Sequence, residues 1–122
     1  MHPIDIHIET QFIDSQSQPE DRRFVFAYTI TITNDSDIPA QLVSRHWIIT
    51  DANNAKQEVQ GLGVVGEQPR LEPGEDYTYT SGVILETEIG TMEGSYQMRT
   101  DEGEIFDAPI PLFALVPPHA IH

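Results

Sequence analysis

Phe24-Val25-Phe26-Ala27-Tyr28-Thr29-Ile30-Thr31-Ile32 is the stretch whose reading decides the fold. Phe24, Phe26, Tyr28, Ile30 and Ile32 fall on one parity, and Val25, Ala27, Thr29 and Thr31 fall on the other. Alternation with period two, in aromatic and β-branched residues, marks a strand with one face in a core. The second face is small or β-branched too, which suits a strand inside a sheet rather than at its rim.

Working outward, Ile4, Ile6 and Ile8 alternate with Asp5, His7 and Glu9, the pattern of a half-buried strand. Between these two strands Asp14 to Arg23 is polar, contains Pro19 and reads as a loop. Downstream, Asn34-Asp35-Ser36-Asp37 followed by Pro39 is a turn cluster. Gln41 to Asp51 forms the next strand, with apolar residues on both parities: Leu42 and Ile48 on one, Val43, Trp47 and Ile49 on the other. Trp47 is expected as a core plug between sheets. Asp51 to Ala55 reads as a turn, Gln57 to Gln60 as a short edge strand and Gly61 to Pro73 as a structured loop. After the Pro73-Gly74-Glu75 turn, alternation resumes from Asp76 to Leu85. Gly90 to Gly94 reads as a second turn region. Ser95 to Thr100 and Ile105 to Val116 make a final strand pair around Asp101-Glu102-Gly103. Pro109 and Pro111 lack backbone donors on the same side of that last strand, which places it at an edge.

No stretch has the period of an amphipathic helix, and no repeat appears. Seven or eight short strands punctuated by turns point to an all-β fold, an immunoglobulin-like or fibronectin type III-like β-sandwich, with a closed barrel as the alternative. Residues 1–122 read as one domain.

At 39% hydrophobic and 21% charged, the composition is that of a globular protein, and it lacks the apolar run of about 18 residues that a membrane helix needs. Twenty acids against six Lys plus Arg give a net charge of −14, a field that repels nucleic-acid phosphates and anionic lipid. Neither nucleic acid nor membrane is therefore an expected partner. The absence of cysteine excludes disulfides and thiol chemistry, and the N-terminal segment lacks a signal-peptide pattern, so the expected location is cytoplasmic. The acids are uneven. Residues 1–60 hold nine acids and four bases, whereas residues 61–122 hold eleven and two. Glu86, Glu88 and Glu93, with Asp101, Glu102, Glu104 and Asp107, form a solvated acidic flank or a face for a basic partner.

Several segments in fixed order resemble the ApaG family. They are Arg22-Arg23-Phe24-Val25-Phe26-Ala27-Tyr28, Arg45-His46-Trp47-Ile48-Ile49-Thr50 (His where many members have Tyr) and the glycine-rich run Glu58 to Pro69. Pro73-Gly74-Glu75, Tyr77, Tyr79, Thr80-Ser81-Gly82 and Gly90 to Tyr96 continue the match, which spans about residues 4 to 118. The resemblance implies a fibronectin type III-like β-sandwich. It also implies a link to cobalt resistance and magnesium efflux. Similar domains appended to eukaryotic F-box and polymerase-interacting proteins suggest a protein-binding module.

Gly61-x-Gly63-x-x-Gly66 has the spacing of a dinucleotide fingerprint, but Glu67-Gln68-Pro69 and Pro73 leave no helix to complete it. Such glycines either supply positive φ to a tight loop or expose amides as an anion nest. Val64 and Val65 between them either plug one end of the sandwich or form an apolar tip for a partner. Arg45 shares the parity of Trp47, so it is expected partly buried, ion-paired to Glu67 or Glu75 or else holding an anion. His2, His7, His46, His119 and His122 show no metal-ligand spacing, and Ser81, Asp76 and the histidines follow no hydrolase order. The expectation is thus a non-catalytic module without metal or cofactor. Gly61, Gly63, Val64, Val65, Gly66 and Arg45 are the candidate contacts to a protein partner. The alternatives are pyrophosphate or a phosphorylated nucleotide at the same loop, and a weak homodimer.

Overall fold

The structure, a computed structural model, describes residues 3–120. Eight strands run in order: β1 (Ile4–Phe12), β2 (Phe24–Asn34), β3 (Ala40–Asp51), β4 (Lys56–Leu62), β5 (Arg70–Leu71), β6 (Asp76–Leu85), β7 (Gly90–Thr100) and β8 (Ile105–Leu115). Short 3-10 turns at Asp14–Gln16, Pro19–Asp21 and Pro118–Ala120 are the helical segments. One antiparallel sheet has the order β1-β2-β6 and the other β4-β3-β7-β8, with β5 paired to the start of β3. The result is a sandwich of two sheets with free edges, not a closed barrel.

β2 is the middle strand of its sheet, as its two apolar faces demand. Phe26, Tyr28, Ile30 and Ile32 are buried against the second sheet, while Thr29 and Thr31 pair on the outer face with Thr80 and Thr78 at 2.8 and 2.9 Å. Trp47 sits between the sheets at 2% exposure, edge-on to Tyr28, Tyr96 and Phe113. β8 is an edge strand, which accommodates Pro109 and Pro111.

The mixed parity of β3 has a structural cause. Leu42 pairs with Met98 and Ser44 with Gln97, so Val43 is an extra residue, a β-bulge. Ala40 and Leu42 face the core before it, and Trp47 and Ile49 face the core after it, on the opposite parity. The bulge therefore turns Arg45 and Trp47 toward the sheet interface.

Two segments differ from the sequence reading. Gly90 to Gly94 is not a turn but the first half of β7. A Cβ on Gly94 would lie 2.0 Å from the His46 carbonyl oxygen, so the glycine is there for close approach between β7 and β3. The chain instead reverses at residues 86–89, where the Thr87 hydroxyl donates to the Ile89 carbonyl and accepts from the Ala52 N–H. The expected loop from Gly61 to Pro73 also gives up both ends. Gly61 and Leu62 complete β4, and Arg70-Leu71 is β5.

At the end of β2, Asn34 is fully buried and satisfied. Its Nδ2 donates to Ile38 and Leu71 carbonyls at 2.9 and 3.0 Å, and its Oδ1 accepts from the Ser36 N–H and hydroxyl. It ties the turn foreseen at 34–37 to β5.

Candidate functional site

The glycine run is a tight hairpin. Val64 and Glu67 exchange backbone hydrogen bonds at 2.8 and 2.9 Å, with Val65 and Gly66 at the tip, both at positive φ (43° and 82°). This is the signature of a two-residue type I′ turn. Gly66 takes it without cost, whereas a β-branched valine there is strained. Just before the hairpin, the Gly63 N–H donates to the carbonyl of Val43, the bulged residue of β3, at 2.8 Å. A Cβ on Gly63 would stand 2.3 Å from the Glu67 carbonyl oxygen, so only glycine fits.

The two valines take opposite environments. Val64 is 1% exposed and plugs the end of the core, while Val65 is 56% exposed at the tip. Leu62, at the end of β4, is 75% exposed beside it and completes an apolar projection that sequence reasoning assigned to the valines alone. Of the loop's amides, those of Gly63, Val64 and Glu67 already donate within the protein.

Arg45 lies opposite Gly61 in the β3–β4 register, and a Cβ on Gly61 would come within 2.9 Å of the guanidinium. Gly61 thus lies within β4 against the Arg45 guanidinium rather than in a loop bend. The expected ion pair of Arg45 with Glu67 or Glu75 does not form. Nη1 donates instead to the Leu62 and Gly63 carbonyls at 3.1 and 2.8 Å, and Glu75 accepts from the Glu72 N–H. The hairpin folds back over the arginine, so carbonyls reach it before a carboxylate can. Arg45 thereby joins all the candidate residues into one neighbourhood.

Behind it, Tyr79 of β6 and Tyr96 of β7 share a buried hydrogen bond of 2.6 Å between their hydroxyls, linking the two sheets. Burial pushes both phenols well above the ordinary tyrosine range, with the Arg45 charge a smaller opposing influence. Nothing in the sequence paired these two rings.

The histidines stay apart. His7 is exposed on β1, His46 bonds Glu58 at 2.9 Å on the outer face, and His119 bonds Glu88 at 2.9 Å. His2 and His122 lie outside the described residues. Among the described residues, no three His, Asp or Glu side chains gather as a metal-binding group, and no helix is long and apolar enough to cross a membrane.

The model of the ApaG domain matches residues 14–100. The chain belongs to the ApaG family. Protein ApaG of Dechloromonas aromatica is 60% identical over 119 residues, covering 98% of this chain and 94% of the relative. Protein ApaG of Pseudomonas aeruginosa (strain PAO1) is 54% identical over 121 residues, covering 99% and 96%. Among solved structures, a Bordetella pertussis protein superposes with a TM-score of 0.93 at 48% identity, covering 96% of this chain and 95% of that one. An Archaeoglobus fulgidus protein with a TM-score of 0.57 and 7% identity shares the fold alone. The candidate neighbourhood of Arg45 and the glycine hairpin falls within the matched domain.

Proposed function

We propose that this ApaG-family chain is a non-catalytic interaction module of the cytoplasm that docks a protein partner through the projection formed by Leu62 and Val65. The observation that carries this reading is the pairing of two exposed apolar side chains on a backbone held rigid at both ends. Arg45 clamps the Leu62 and Gly63 carbonyls, and the Val64–Glu67 pair closes the tip. A rigid apolar anchor loses little conformational freedom on binding, which favours it as an interface centre. Val65 keeps its side chain in a backbone region where asparagine or glycine would be easier, which is a cost that a purely structural turn has no reason to bear.

The experiment compares wild type with a Leu62→Asp plus Val65→Asp double variant as bait in native cytosol. Val64 is left alone because it is core. Specific proteins retained by the wild type and lost by the equally stable variant support the reading. An identical set retained by both baits counts against it. The phosphate-cradle alternative is tested in parallel by adding pyrophosphate to labelled protein. Saturable amide shifts confined to Gly61–Gly66 and lost in Gly63→Val would promote it over the docking role.

The family's link to cobalt and magnesium enters this proposal indirectly, with the docked partner handling the cation. Calorimetric titration with cobalt chloride should then show only weak binding that salt weakens further, as for cations drawn to an acidic surface. Stoichiometric, salt-resistant binding in the micromolar range would overturn this part.

A further inference from the structure

Between the free edges of β4 and β6 the sandwich is open, and the gap is a cleft of 540 Å³. Its size is within the range of small-molecule sites. Val25, Ile49, Val59, Val83 and Met92 supply apolar walls, and Trp47 lies among them. The polar lining is unusual for this chain. Arg23 and Arg45 both face the cleft, and no Asp or Glu does, although acids outnumber Lys plus Arg twenty to six.

The donors of this lining outrun its acceptors. The two Arg45 bonds to loop carbonyls both come from Nη1, which leaves the donors on Nε and Nη2 without a protein acceptor among the described residues. The same guanidinium lines a second recess of 240 Å³ beneath Leu62 and Val65, also free of carboxylates. Among the described residues the Arg23 guanidinium donates through Nε alone, to the Gln16 carbonyl at 3.3 Å. Trp47 is 2% exposed and its buried Nε1–H has no acceptor among the described residues. Two cations with spare donors and apolar walls together complement a ligand with an anionic head and an apolar body.

We propose that the cleft between β4 and β6 binds a small amphiphilic anion, its carboxylate or phosphate head on Arg45 and Arg23 and its apolar body against Trp47 and the valines. The site shares Arg45 with the Leu62–Val65 projection, but neither Leu62 nor Val65 lines the cleft, so either reading can fail alone. Arg45 carries the larger share, because it is half-buried and its charge-assisted bonds are less screened than those of exposed Arg23.

Trp47 is the sole tryptophan, so its fluorescence and its indole N–H resonance report on the cleft without a label. The probes are phenyl phosphate and phenylacetate, which distinguish the two heads, inorganic phosphate as head alone, and phenethylamine as the same body with a positive charge. Saturable movement of the Trp47 indole signal is expected with one or both aromatic anions. Inorganic phosphate should bind more weakly than phenyl phosphate, and phenethylamine should have no effect. Arg45→Gln should weaken binding about tenfold or more, the equivalent of losing one charge-assisted hydrogen bond. Arg45 also braces the hairpin, so Arg23→Gln, on the exposed side of the cleft, is the second variant, with an expected loss of a few-fold. The proposal is overturned if neither aromatic anion moves the Trp47 signal at millimolar concentration, if phenethylamine moves it equally, or if the affinity survives both arginine substitutions. Binding that persists in Leu62→Asp plus Val65→Asp would confirm that the cleft acts independently of the projection.

Discussion

The two flanks of the sandwich are built differently. On one, β1 rests on β8, and Phe12 packs edge-on to both Phe26 and His119, so the core is covered by side chains and the final turn. On the other, β6 and β4 leave the cleft between them, and Trp47, Tyr28 and Arg45 form its inner wall. The covered flank is closed by aromatic contacts, and its one polar ring, His119, is paired with Glu88. The open flank mixes apolar walls with polar groups whose hydrogen bonds are incomplete, as at Trp47 Nε1. Donors without protein acceptors thus gather on the open flank, beside the cleft proposed above as a binding site.

Four changes would sharpen or break this contrast. The largest effect should come from Trp47→Ala, which opens a cavity where both sheets and the cleft meet. It should cost about 3–5 kcal/mol in denaturant melts, and a loss under about 1 kcal/mol would mean that the open flank does not share the core. Next is Tyr96→Phe, which leaves the buried Tyr79 hydroxyl without its partner. The expected loss is about 1–2 kcal/mol by chemical denaturation; no loss would show that water from the open flank already serves Tyr79. Val65→Asn should go the other way. Relieving positive φ at an exposed tip should stabilise the protein by about 1 kcal/mol, read as a higher melting temperature, while weakening partner capture. Stabilisation with capture intact would return the hairpin to a structural role.

The smallest effect concerns a pair remote from the cleft. Arg70 binds Asp101 through both Nε and Nη2, with Nε to Oδ1 at 3.0 Å, and its hydrogen bonds hold the Asp101 carboxyl below the ordinary range. A carboxyl with a lowered folded pKa stabilises the fold above its unfolded pKa of about 3.9 and loses that contribution as pH falls through the lower folded value. Urea midpoints should therefore drop less on acidification in Asp101→Asn than in wild type, by a small margin because the pair is exposed. Equal drops would assign the acid sensitivity to other carboxylates.

Much of the architecture was legible because alternation is local. A strand's parity states which residues face inward before any partner is known, and β2, β6 and the burial of Trp47 followed from it. Glycine was harder to read, because one residue serves unrelated ends. Gly63 and Gly66 supply positive φ, as the spacing suggested, whereas Gly94 clears space for the His46 carbonyl. No spacing rule separates these uses, since the obstructing atom belongs to a strand distant in sequence.

By itself the sequence determined the all-β class, the core parity of β1 and β2, the acidic charge and the place of Arg45 on the side of Trp47. Tertiary structure decided what depends on register between strands. The bulge at Val43 let Leu42 and Trp47 share one core face, and the fold of the hairpin gave Arg45 carbonyls in place of a carboxylate. The cleft arose only from which edges were left unmatched when the sheets stacked. Periodicity is set within a few residues along one chain segment, whereas a gap between sheets is a difference between two surfaces and has no local signature.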